Sequence, residues 1–195
     1  MNRAIEIAHL YKKFDNHVLF SDFSTEIQTG QTTCIMGKSG CGKTTLLHIL
    51  MGLIKPESGM ITGIDHKSIS VIFQENRLCE HLSALRNVLL PVKETLENNE
   101  RALHLLAVCG LNKSVAEQKT AELSGGMKRR VAIVRALLVP ADVFLMDEPV
   151  KELDAANRDR VVDTILNETQ GKTVLIATHD PKDIDRFRAE NVIKL

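Results

Sequence analysis

The sequence predicts an α/β protein in which a core of buried strands is interrupted by a helical insert. Three observations carry this. Short apolar, β-branched runs fall at residues 4–8, 25–28, 32–36, 70–73, 143–147, 173–178 and 191–195. The stretch between about 75 and 135 lacks such runs and instead repeats its apolar residues at helical intervals, as in 87–96, 102–108 and 127–138. A glycine-rich segment joins the 32–36 run to a helix-like run at 44–50.

That segment, Gly37-Lys38-Ser39-Gly40-Cys41-Gly42-Lys43-Thr44, fits the pattern G-x-x-x-x-G-K-[ST]. At a strand-to-helix corner, glycines let the backbone turn tightly so that successive N–H groups face inward, and the positive end of the helix dipole adds to their field. The arrangement suits a polyphosphate. Lys43 would reach the β- and γ-phosphates and the Thr44 hydroxyl would ligate Mg²⁺, with Thr45 completing the nucleotide-binding set.

Val143-Phe144-Leu145-Met146 ends abruptly in Asp147-Glu148. A parallel strand covered on both faces reads as a continuous apolar run, and its carboxyl end opens into the ligand crevice. Asp147 can therefore hold Mg²⁺, and Glu148 is placed to polarise a water for attack on the γ-phosphate.

With these residues in place, the chain resembles the nucleotide-binding subunit of an ATP-binding cassette (ABC) transporter over essentially its whole length. Gly37 to Thr44 match the family's Walker A loop, Val143 to Glu148 its Walker B strand, and Gln74 its Q-loop glutamine. Leu123-Ser124-Gly125-Gly126 match the signature, Leu153-Asp154 the D-loop and His179 the switch histidine, all in the family's order. The adenine-stacking aromatic falls on Phe14, with Tyr11 as the substitute. The resemblance implies a P-loop NTPase (RecA-like) core with a mostly parallel sheet, an N-terminal antiparallel β portion and an inserted helical subdomain. In residue numbers this gives one ABC ATPase domain over 1–195, with 1–74 and 136–195 as ATP-binding core and 75–135 as the helical part carrying the signature. It also implies ATP and Mg²⁺ as cofactors, with Glu148, His179 and Gln74 as catalytic residues and Thr44, Gln74 and Asp147 at the metal. Ser124, Gly125, Gly126 and Asp154 would serve the nucleotide held by a second copy, so a lone chain is expected to hydrolyse ATP poorly.

Each motif also has an ordinary reading. Ser124 reads as a helix cap before Met127–Leu138, Asp154 as a cap before Ala155-Ala156-Asn157-Arg158, and Gln74 and His179 as solvated residues at strand ends. Phe14 has the ordinary reading of a core aromatic. A cap and a site acting in trans do not conflict, because such a site still needs a stable helix.

Composition sets further limits. The 195 residues suit one domain or a domain with an insert, and 44% apolar content is ample for one core. With 25 basic and 25 acidic side chains there is no electrostatic case for a nucleic-acid partner. Cys34, Cys41, Cys79 and Cys109 are scattered without C-x-x-C spacing, which suits reduced thiols rather than a disulfide framework or zinc site. The opening Met1-Asn2-Arg3-Ala4-Ile5-Glu6 carries an early acid and no apolar stretch of a leader, and nothing approaches the ~20 apolar residues that span a bilayer. The expected place is cytoplasmic, peripheral on the inner face of the cell membrane, with transmembrane permease subunits as partners and a solute-binding protein reached through them. Residues Asn76, Arg77, Leu78 and Leu82 would meet the permease.

Some positions depart from the family pattern. Met127 replaces the common glutamine after the signature glycines, Lys128 and Arg129 follow in an altered basic pattern, and Val150 stands where phenylalanine is frequent. An appended regulatory domain is not expected. The phrase Phe73-Gln74-Glu75-Asn76-Arg77-Leu78 resembles the nitrate, sulfonate and taurine importer branch, which suggests a small anion as solute. The alternatives are an exporter or lipoprotein-release ATPase, or a soluble ABC ATPase without a transport role. Translation factors of the soluble class carry two cassettes and chromosome ATPases long coiled coils, and this chain shows neither. A P-loop kinase would leave Leu123 to Gly126 unexplained.

Overall fold

The computed structural model describes residues 4–195, so the first three residues of the opening segment read above lie outside the described residues. The chain divides into two compact units. One comprises residues 1–69, 141–147 and 171–195, and the other residues 70–140 and 148–170.

The first unit holds two sheets. Strands β1 (Ile5–Phe14) and β2 (His17–Ile27) form an antiparallel hairpin with Ile5 opposite Ile27, and β4 (Ser58–Thr62) pairs with the other edge of β1, Ile7 opposite Ile61. Asp15 turns the hairpin at φ 49°, in the left-handed region that aspartate tolerates. Gly59 is needed on β4, because a Cβ there would lie 2.7 Å from the Cα of Leu10 and 2.8 Å from the His9 carbonyl.

The second sheet is parallel. Strands β3 (Thr32–Met36), β6 (Val143–Asp147), β7 (Thr173–Thr178) and β8 (Asn191–Lys194) run in the order β6-β7-β3-β8. Every residue of β6 and β7 is buried, as expected of strands with both faces covered. Helix α1 (Lys43–Leu50) lays Leu46, Leu47, Ile49 and Leu50 into a core shared with Ile35, Leu145 and Leu175, and with Ile5, Leu10 and Phe20 of the antiparallel sheet. Each such side chain contributes about 1.5–3 kcal/mol on burial. The short helix α7 (Lys182–Arg186) precedes β8.

The second unit receives most of strand β5 (Ile69–Ile72) and is otherwise helical. Helices α2 (Ala84–Leu89), α3 (Leu96–Val108), α4 (Lys113–Glu117), α5 (Gly125–Leu138) and α6 (Ala155–Glu168) each start at a capping side chain. These caps are Ser83, Thr95, Asn112, Ser124 and Asp154, each accepting the backbone N–H three residues on and so satisfying a donor the helix cannot. Fully buried Asn87 organises the loop before α2, donating to the carbonyls of Cys79, Leu82 and Ser83 and accepting from the Cys79 N–H.

The structure differs from the sequence reading in two places. The helical periodicity at 87–96 belongs to two helices, since α2 ends at Leu89 just before Pro91, which cannot continue a helix, and α3 starts afresh at Leu96. The strand expected at 4–8 runs on to Phe14 and its partner starts at His17, while β4 carries no clear signal because Ser58, Gly59 and Met60 are exposed. Residues 148–170 belong to the second, mainly helical unit. Arg101 of α3 bonds Glu168 of α6 at 2.8 Å, and Arg130 of α5 bonds Asn157 of α6 at 3.1 Å.

Candidate functional site

In the first unit the parallel register brings the carboxyl ends of three strands to one edge: Met36 lies opposite Thr178, and Asp147 opposite Ala177. The residues that follow β3 and β7, and the last residue of β6, are those read as functional. This edge is where open α/β sheets take ligands.

From β3 the chain enters the loop Gly37–Gly42 and then α1. The Cys41 N–H donates to the Lys38 carbonyl at 3.2 Å, Gly40 sits at φ 82° and Gly42 at φ 107°, forming the N-cap of α1. Gly42 is required twice over, by its left-handed backbone and because a Cβ would lie 2.8 Å from the Phe20 ring. A Cβ on Gly37 would collide with the Cys41 sulfur. The Lys43 ammonium is folded over its own loop, donating to the carbonyls of Gly37 at 2.7 Å and Lys38 at 3.1 Å, and the residue is only 7% exposed. Lys38, Ser39 and Gly40 are exposed at the loop tip, and Thr45 is half-buried behind Thr44.

The Thr44 hydroxyl donates to the Asp147 carboxylate at 2.6 Å, a bond that joins the start of α1 to the end of β6. Two hard oxygen donors thus sit side by side, a set that suits Mg²⁺. At the end of β7, exposed His179 stands between two fixed residues. Thr178 donates from its hydroxyl to buried Asp183 at 2.6 Å, and the Asp180 N–H donates back to that hydroxyl at 3.1 Å. Hydrogen bonding by the Lys182 N–H, then by Arg186, holds the Asp180 carboxyl below its ordinary range. Phe14 ends β1 45% exposed, with the Lys12 ammonium 4.8 Å from its ring centroid, whereas Tyr11 is half-buried. Phe14 is therefore not a core aromatic.

In the second unit Gln74 is exposed just beyond β5, and its carbonyl accepts from Arg129 at 3.1 Å. Glu148 lies at φ 45°, its carbonyl bonded by Arg129 at 2.8 Å and its carboxylate 3.0 Å from the Lys151 ammonium. Ser124 caps α5, accepting the Met127 N–H at 3.3 Å. The fold itself does not demand the two glycines that follow, since a Cβ on Gly125 would meet nothing within 4 Å and one on Gly126 would meet its nearest atom at 3.7 Å. Asp154 caps α6 with both oxygens engaged by Asn157, whose side chain and N–H hold the carboxyl below its usual range. Arg129 and Lys151 went unassigned in the sequence reading; the one available signal for Arg129 was its place on a helix of otherwise mainly apolar buried residues.

The four cysteines are free thiols, and burial separates their reactivity. Cys34 is fully buried and its thiol is pushed up to about 12 by burial and then by the charge of Asp183; burial likewise raises Cys109. Because the thiolate is the nucleophile, both are expected to resist iodoacetamide at neutral pH while half-buried Cys41 and Cys79 react. Mass spectrometry should find Cys41 alone spared when Mg-ATP is added. Equal labelling of Cys41 with and without nucleotide would contradict its place in the phosphate loop.

Taken together, a phosphate loop at a strand-to-helix corner and a threonine–aspartate pair at the sheet edge define a nucleoside-triphosphate-binding α/β protein. The ABC transporter family matches residues 20–151, and the chain belongs to that family. It is 30% identical to the ergothioneine transport ATP-binding protein EgtV of Helicobacter pylori (strain G27), over 98% of this chain and 97% of that one. It is 36% identical to the taurine import ATP-binding protein TauB of Roseobacter denitrificans, over 92% of this chain and 73% of TauB. The chain spans only 56% of another relative, the spermidine/putrescine import protein PotA of Fusobacterium nucleatum, at 33% identity. Among solved structures it is similar to the dimeric post-hydrolysis state of the ATP-binding cassette MJ0796 bound to ADP and Pi. That match has a TM-score of 0.84 and 31% identity, over 98% of this chain and 94% of that one. No helix among the described residues is long and apolar enough to cross a membrane.

Proposed function

We propose that the chain, as one ABC ATPase domain over residues 1–195, powers import of a small anion of the nitrate, sulfonate or taurine type through separate permease subunits. As a member of its family it is an ATPase that uses ATP with Mg²⁺. The observation that carries the reading is the Lys43 ammonium folded over its glycine loop beside a Thr44 hydroxyl bonded to Asp147. Two ammonium donors are fixed by loop carbonyls and the third is the one for the β- and γ-phosphates. The loop residues Gly37 to Gly42, with Thr45, present the backbone to the phosphates, and Phe14 offers its exposed ring to adenine.

Thr44 and Asp147 would hold Mg²⁺, which when bound would offset the charge of the phosphates. Glu148 takes the proton of the attacking water, His179 orients that water and donates to the γ-phosphate, and the Gln74 amide oxygen serves the metal or the water. Ser124, Gly125 and Gly126 act on the nucleotide held by a second copy. Support for this comes from MJ0796, whose cassette forms a dimer, and from two glycines that the chain's own packing leaves open. Loss of the γ-phosphate bridge then lets the two copies part and drives the permease.

The small-anion reading is supported by the Phe73–Leu78 phrase and by the likeness to TauB. A groove of about 460 Å³ lined by Leu82, Arg86, Leu89, Leu90, Val92 and Glu94 is a seat for a permease segment, and Asn76, Arg77 and Leu78 would meet the same partner. Such a subunit works on the cytoplasmic face of the membrane.

Hydrolysis of ATP by the purified chain is expected to vanish when EDTA removes Mg²⁺ and to return on its addition. Turnover that survives chelation would remove the metal role of Thr44 and Asp147.

A further inference from the structure

Arg129, five residues into α5, is 3% exposed and donates to two segments distant in sequence. Its Nη1 reaches the carbonyls of Phe73 at 2.6 Å and Gln74 at 3.1 Å, with the Asn76 side-chain oxygen at 3.4 Å. On the other side, Nη2 reaches the Glu148 carbonyl at 2.8 Å and Nε the Pro149 carbonyl at 2.9 Å. A guanidinium is a rigid planar fork, so the groups it bonds are held at a fixed separation. Here those groups are the backbones of Gln74 and Glu148.

The backbone shows why a clamp is needed. Glu148 at φ 45° and Arg77 at φ 46° both lie in the left-handed region that side chains other than glycine's rarely adopt. Strain of this kind persists only where the surroundings over-determine it. The carbonyls of Glu148 and the next residue both accept from Arg129. The Arg77 carbonyl accepts from Arg135 of the same helix at 2.7 Å, and the Asn76 carbonyl from Arg135 at 3.0 Å. Carbonyls 73, 74, 76 and 77 thus hang from α5, whose N-cap is Ser124 and whose first turn opens with Gly125 and Gly126.

We propose that Arg129 is a positioning residue for ATP hydrolysis, fixing the Gln74 backbone against the Glu148 backbone and tying both to the helix that carries Ser124 to Gly126. Movement of α5 then carries the two reacting side chains together. The inference rests on the roles given above to Gln74 and Glu148. It assigns a task to one of the positions where this chain departs from the family pattern.

The test compares Arg129→Gln, which shortens the fork, with Arg129→Lys, which keeps the charge and loses the fork. In both, kcat is expected to fall about 30-fold or more while KM and the affinity for a fluorescent ATP analogue stay within about threefold, because catalytic geometry is lost and binding is not. A folded variant whose kcat stays within about threefold of the parent, or whose loss lies in KM alone, overturns the proposal. Glu148→Gln is run beside them. If it turns over at the parental rate, the reading of Glu148 has failed; if it is inert while Arg129→Gln is not impaired, only the positioning role has failed. Should neither arginine variant fold, hydrogen exchange on the parent decides. Segments 73–77 and 148–152 must change protection together when Mg-ATP is added, and a change in one alone or in neither overturns the proposal.

Discussion

Replacing Lys43 with alanine is expected to abolish tight ATP binding, lowering affinity by about 10–10²-fold. The side chain is 7% exposed and already committed to the loop, with two of its donors on the Gly37 and Lys38 carbonyls. Its replacement removes the third donor's charge-assisted contact to the phosphates, worth about 1.5–3 kcal/mol, and every 1.4 kcal/mol is about tenfold in affinity. The two loop carbonyls also lose their donor, so the loop that presents its N–H groups is loosened along with the loss of charge. Titration with a fluorescent ATP analogue reads the change directly. Affinity within a few-fold of the parent, in a folded variant, would remove Gly37 to Thr44 from the nucleotide site.

The second large effect falls on the chemical step alone. Glu148→Gln keeps the shape and the hydrogen-bonding reach of the side chain but cannot accept the proton of the attacking water. A general base contributes about 10²–10⁴-fold to a rate, and turnover should fall by that factor while ATP affinity is retained. The backbone at 148 should survive the change, because its carbonyl is held by Arg129 and not by its own side chain. The ion pair from Lys151 at 3.0 Å is lost, with Lys151 46% and Glu148 13% exposed at their side chains, so the rate is compared on variant protein shown to be folded. A normal rate of hydrolysis in this variant would mean that another group takes the proton.

What the sequence displayed was the chemistry that lies close together along the chain. The loop 37–44 could be read because strand, turn glycines and helix follow one another within a few residues, and the structure places them as β3, Gly42 at φ 107° and α1. Strands β6 and β7 were legible for a related reason, since burial on both faces leaves an unbroken apolar run. The Ser124 and Asp154 caps were legible from residue type alone. Strand β4 was not, because it is short, contains Gly59 and has its first three residues exposed. The bonds from Arg129 were hidden for a different reason: Phe73 and Gln74 lie 56 and 55 residues away, and nothing in an Arg-Arg pair on a helix says which carbonyls it meets. Likewise, the periodicity at 87–96 crossed a proline without marking which turn would end first.

Sedimentation of Glu148→Gln with and without Mg-ATP tests most directly the claim that the nucleotide joins two copies of this chain. An ATP-dependent shift from monomer to dimer is the expected result, with Ser124 to Gly126 of one copy closing on the nucleotide of the other. A species that stays monomeric in both conditions, while a parallel titration shows ATP bound, would contradict it and leave Ser124 as a helix cap only.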